Sequence, residues 1–242
     1  VKLRAVLHQA RVELRLTVRR GESLLVTVGI PVGILVFFSK IDTLSDVADP
    51  VAFLVPGILA LAVMSTAMVS LGIATGYERH YGVLKRLGST PLSRAGLLSA
   101  KTLNVLAIEA AQVFLIVVIG VALGWSFTAG ILPAVGLLLL GTLAFAGLGM
   151  LLAGTLRAEA NLAVANGLFL VLLFLGGIAY PLDRLPGVLQ AVAKVLPAAP
   201  LAETVRAVLD HPAHLPGGYL AALIAWAVLA PLAAVAWFRW EE

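Results

Sequence analysis

No cysteine occurs in the 242 residues, which excludes disulfides, thiolate metal sites and thiol nucleophiles. Charge is scarce too: Asp, Glu, Lys and Arg make up 12% of the chain, against about 25% in an average soluble domain. Hydrophobic residues reach 61% and the mean hydropathy is +1.03. So few charges would leave large apolar patches on a water-soluble surface, which excludes a soluble globule. Aromatic residues, at 7%, are too few to suggest a sugar-stacking channel.

Catalytic signatures are missing as well. There is no G-x-S-x-G, no H-E-x-x-H and no pair of aspartates within an apolar stretch. His8, His80, His211 and His214 all fall outside the apolar stretches, so an embedded serine protease would have no base. Asp210, His211 and His214 could ligate a metal, but their Pro-rich surroundings read as a solvated loop. No G-x-x-x-x-G-K-[ST] loop occurs to cradle the phosphates of ATP. An enzyme is not expected.

What is present is long apolar sequence, at 23–39, 51–75, 102–123, 130–154, 160–180 and 218–238. At about 20 apolar residues per crossing, this predicts six transmembrane helices in one all-α polytopic domain over 1–242. The first stretch is short, and Pro31 with Gly29 and Gly33 should kink it. Gly141, Gly147, Gly149 and Gly154 mark expected close helix contacts.

Residues 1–20 have too long and too charged an n-region for a signal peptide. Leu3, Leu7, Ala10, Leu14 and Val18 recur at helical spacing, and Arg4, His8, Arg11, Arg15 and Arg19 follow one residue on. Those two stripes predict an amphipathic interfacial helix with its arginines toward anionic headgroups, the alternative being an ordinary solvated helix. Residues 181–217 are broken by Pro181, Pro186, Pro197, Pro200, Pro212 and Pro216 yet remain apolar on one face. Two short helices lying at, or dipping into, one membrane surface are expected there.

Orientation follows from Lys and Arg. With six crossings, one side holds the N-terminus, the loops at 76–101 and 155–159, and the C-terminus, with 13 of the 17 basic residues. Only Lys40, Arg184, Lys194 and Arg206 fall on the other side. The positive-inside rule then predicts both termini in the cytoplasm.

The cytoplasmic loop 77–94 has the ingredients of a short helix ending at Gly88, followed by Thr90-Pro91 as the start of the next helix. Val83, Leu84 and Leu87 should form a small apolar knob beside Lys85 and Arg86, for a partner or for the lipid surface. Glu78, Gly82, Leu84, Leu87, Thr90-Pro91, Arg94 and Lys101 resemble the E-x-x-x-G-x-L-x-x-L-x-x-T-P-x-x-R loop of the permeases of type-2 ABC exporters. The resemblance extends to the N-terminal helix, the six crossings and the Pro-punctuated segment from Pro181 to Glu203 and Arg206. It implies a coupling helix that docks on a cytosolic ATPase subunit, with Glu78 capping it or meeting a basic group of that subunit. It also implies re-entrant helices on the outer side, a second permease subunit (a copy or a paralogue), and ATP with Mg2+ on the ATPase and not on this chain. The expected setting is the lipid of a bacterial inner membrane, the cargo an amphipathic drug-like molecule, lipid or glycan, and nucleic acid is not among the partners. A secondary transporter, a channel or a membrane scaffold are the alternatives.

Glu109 lies inside the third apolar stretch, where a carboxylate costs about 2.5–3.5 kcal/mol at helix centre. Gln112, one turn on, could hydrogen-bond it; Lys101 lies two turns back on a similar face, and Asn104 adds a polar position. Glu109 and Gln112 are therefore expected either on the wall of a substrate pathway or in a latch between helices. Asn161 and Asn166 are weaker cases of the same kind.

Overall fold

The computed structural model describes residues 2–19, 21–40, 49–88, 93–126, 130–178, 181–210 and 215–240. Thr90, Pro91, His211 and His214 lie outside the described residues, as do the side chains of Leu87 and Arg94. The chain is all helical in its described parts. An amphipathic α1 (Lys2–Arg19) is followed by α2 (Gly21–Lys40) and by a 31-residue rod over Pro50–His80. The rod comprises α3 (Pro50–Val63), a π-helical stretch (Met64–Ser70) and α4 (Leu71–His80). Then come α5 (Val83–Gly88), α6 (Arg94–Ala122), α7 (Ile131–Thr155) and α8 (Ala158–Leu175). A 3-10 turn (Leu182–Arg184), α9 (Gly187–Val195), α10 (Ala198–Asp210) and α11 (Gly217–Trp237) complete it.

The helix starts have local causes. Asp49 accepts from Ala52 N at 2.9 Å, and Pro50 follows at the first helical position. Ser93 accepts from Gly96 N at 3.1 Å and caps α6, which begins at Arg94. Gly82, with φ 71°, turns the chain between α4 and α5, a conformation that only glycine adopts without strain. As expected, α5 ends at Gly88.

Among the described residues, five helices are long and apolar enough to cross a membrane: Pro50–His80, Ala95–Ala122, Ile131–Thr155, Ala158–Leu175 and Gly217–Trp237. The described side chains of α2 form a shorter apolar helix, Val28–Lys40. Even so, the chain passes from one end of the bundle to the other between Glu13, which bonds Lys101 near the start of α6, and Phe53, whose carbonyl meets Arg206. The only described helix wholly within that interval is α2, and 20 residues reach about 30 Å. The pair α9 and α10, bent by 83°, is a broken span or a re-entrant hairpin. Of the two, α9 keeps Val188, Val192 and Val195 exposed, whereas α10 buries Leu201, Val205 and Val208 among the other helices.

Small residues set the closest crossings. A side chain at Gly149 of α7 would press on the carbonyl oxygens of Met68 (2.7 Å) and Ala67 (2.9 Å) in the π stretch. Gly136 on the same helix has nothing within 4 Å. Gly149→Val should therefore destabilise the protein by about 1–3 kcal/mol through overpacking, while Gly136→Ala should leave it unchanged or slightly stabilised. Thermal melts of the two purified variants test this; equal melting temperatures would disprove the tight crossing.

Candidate functional site

The helix ends that hold the basic residues gather at one end of the bundle. Lys101 of α6, 1% exposed, donates to Glu13 of α1 at 3.0 Å and to Glu78 of α4 at 2.8 Å. Arg79 donates at 2.7 Å to each of the carbonyls of Ala153 and Leu156, where α7 ends. Arg239 N–H reaches the carbonyl of Gly154 at 3.1 Å. The amphipathic helix, the loop after α4, the turn after α7 and the segment after α11 thus share one end. Beside the Glu13–Lys101–Glu78 cluster lies a cavity of about 90 Å³, also lined by Thr66, Ser70 and Asn104.

One expectation for the loop needs correction, and Glu78 has a partner within the chain, accepting from Lys101 at 2.8 Å. Leu84 is fully buried in the main apolar core and is not part of an exposed knob. The loop instead exposes Tyr81 (72%), Val83, Lys85 and Arg86, with Tyr81 stacked on Tyr77 at 6.2 Å. Helix α5 is thereby anchored by Leu84, while Val83, Lys85 and Arg86 face outward.

The polar groups inside the bundle pair differently from the expectation. Glu109 accepts from Thr142 of α7 at 2.5 Å, not from Gln112. Gln112 accepts instead from Thr66 at 2.9 Å and so braces the π stretch. Its widened turn, with Leu71 N–H reaching back to Thr66 O, is a feature often found at functional sites. Asn161, fully buried, donates to Gly72 O at 2.8 Å and ties α8 to α4. Asn166 stays exposed and donates only to Leu162 O, one turn back. It lines a groove of about 210 Å³ with Ile30, Ser65, Val69, Ser70 and Phe169, between α2, the π stretch and α8.

At the opposite end Arg206 pairs with Glu203, donates to Gly177 O at 3.0 Å and sits 4.1 Å from the centre of the Phe53 ring. It fastens α10 to the start of α3 and to the turn after α8. Trp226 of α11 donates to Val195 O at 2.7 Å and holds α9. Glu13, Thr66 and Thr142 escaped sequence reasoning: Glu13 belongs to neither stripe of α1, and a lone threonine in an apolar run carries no signal of its own.

A bundle of apolar helices that crosses the membrane five to six times, with its polar clusters at helix ends, is a polytopic membrane protein. The sequence matches the ABC-2 type transporter family over residues 7–209, and the chain belongs to that family. It is 27% identical over 159 residues to the probable multidrug ABC transporter permease YbhS of Escherichia coli (strain K12), covering 64% of this chain and 42% of that relative. The alignment therefore spans less than half the length of that permease. Nodulation protein J of Rhizobium meliloti (strain 1021) is 27% identical over 212 residues, 77% of this chain and 81% of its own length.

The Lys101 cluster yields a stability test. Removing the ammonium takes the shared cation from Glu13 and Glu78, and breaking a buried pair costs about 3–5 kcal/mol. Lys101→Met should lower the melting temperature sharply, whereas the triple variant Glu13→Gln, Glu78→Gln, Lys101→Met should recover most of the loss. A Lys101→Met protein that melts like wild type would contradict the ion cluster.

Proposed function

We propose that the chain is the membrane half of an ATP-driven exporter, moving an amphipathic drug-like molecule, lipid or glycan out of the cytoplasm. A separate ATPase subunit, carrying ATP and Mg2+, supplies the energy. The observation that supports this most is the gathering of the cationic segments and the α4–α5 loop at one end of an apolar bundle. In this reading that end faces the cytoplasm of a bacterium across its inner membrane. The chain there presents Tyr81, Val83, Lys85 and Arg86 as the docking surface for the ATPase, with Gly82 and Leu84 setting its shape. Leu87, Thr90, Pro91 and Arg94 belong to the same docking segment in this reading. Glu78 acts behind it, passing movement of the loop to α6 and α1 through Lys101.

Cargo passes, in this reading, along the groove between α2, the π stretch and α8, where Ser65, Ser70 and Asn166 offer polar atoms. An exposed asparagine in an apolar helix is costly in lipid, which favours a second permease subunit closing this face. Glu109 and Gln112 stand on another side of the rod, Gln112 shaping the wall through Thr66.

Two measurements test these assignments. Tyr81→Ala with Val83→Asp should leave the protein folded, because both side chains are exposed, and should cut cargo-stimulated ATP hydrolysis by the assembled transporter several-fold. Leu84→Asp should instead abolish folded protein, since it places an unpaired charge in the core. Unchanged stimulation in the double variant would remove the docking surface. The absence of native cysteine makes topology directly readable. Lys194→Cys should react with an impermeant maleimide from outside intact cells, and Val83→Cys only after the membrane is opened. The reverse pattern would invert the orientation and sink the export reading.

A further inference from the structure

On the opposite face from the π-stretch groove, α6 and α7 enclose a second groove of about 330 Å³, whose size falls in the range of small-molecule sites. Its walls are apolar, among them Val113, Phe114, Val135 and Leu139, and its polar side chains are Glu109 and Thr142. Glu109 is 5% exposed. One carboxyl oxygen accepts the Thr142 hydroxyl at 2.5 Å, and the other, Oε1, is buried without a hydrogen-bond partner among the described residues. Lys101, eight residues back on the same helix, is committed to Glu13 and Glu78.

Both residues sit near the middles of their helices, Glu109 within Arg94–Ala122 and Thr142 within Ile131–Thr155, so the groove lies at mid-membrane depth. Its rim is exposed and apolar, with Phe114 at 70% and Leu139 at 44%, which places the mouth against lipid acyl chains. A buried polar group without a partner is costly. A cationic donor is the complement to a lone carboxyl oxygen in an apolar wall. We infer that this groove is a binding site for an amphiphilic amine that arrives from the lipid, its ammonium on Glu109 and its alkyl body along Val113, Phe114 and Leu139. Thr142 holds the carboxyl in place for that contact. The site goes beyond the export reading, since it requires only that α6 and α7 face lipid, and it can be assayed with no ATP.

The full chain, reconstituted in phosphatidylcholine nanodiscs with Phe114→Trp as a rim reporter, provides the test. A nitroxide-labelled alkylamine and the alkanol of equal chain length are the probes. The amine should quench the reporter at about tenfold lower membrane concentration than the alkanol, the scale of one charge-assisted hydrogen bond. Glu109→Gln should erase that preference. Ala110→Leu, which fills an exposed position on the groove wall and keeps the carboxylate, should erase it too, and it decides the matter if the glutamine variant does not fold. Equal quenching by amine and alkanol in the unaltered groove overturns the inference. A preference that survives either variant overturns it as well, leaving Glu109 as a latch to Thr142. Failure of ATP-driven export with the amine preference intact would count against the export reading alone.

Discussion

A helix inside a membrane has no water to satisfy its polar atoms, so every polar side chain placed there needs a partner from the chain itself. That constraint explains the cross-helix bonds of this bundle. Thr66 meets Gln112, Asn161 meets the Gly72 carbonyl, and Thr142 meets Glu109. Each joins helices that apolar packing alone would hold only loosely, because lipid tails compete on equal terms with apolar side chains. Glycine provides the remaining condition, since a side chain at Gly72 or Gly149 would keep α4 and α7 apart.

The same constraint sorts the ions. Lys101 and Arg79 are both buried, yet each sits at a helix end, where acids or terminal carbonyls are within reach. Arg79 uses the carbonyls that the last turn of α7 leaves without helical partners, a satisfaction of the helix end as well as of the guanidinium. Arg206 does the equivalent at the other end with Gly177 O, Glu203 and the Phe53 ring. The two ends are thus fastened by ions and the middle by neutral hydrogen bonds and small residues, leaving Glu109 as the exception.

Much of the architecture was legible because it depends on apolar length and proline placement, both local in sequence. The short helix of the loop and the broken pair after α8 both follow from residues within a few positions of the feature. The partners of the polar residues were not legible. Glu13 and Lys101 are 88 positions apart, and Thr142 and Glu109 are 33 apart. Leu84 shows the same limit in apolar form: periodicity identified a small apolar cluster in the loop, but only tertiary packing decides which of its members turns inward.

Lys101 and Glu109 show how far spacing can mislead. Eight residues on one helix place them about 12 Å apart along its axis, too far for a direct bond even when their faces are close. The ammonium therefore turns to Glu13 and Glu78, which α1 and α4 bring to the first turns of α6. Glu109, one level deeper, is left with a hydroxyl for one oxygen and an apolar groove for the other. The two polar sites of α6 are thus set apart by distance along its axis, and the lone carboxyl at mid-membrane follows from its depth and not from a competition for Lys101.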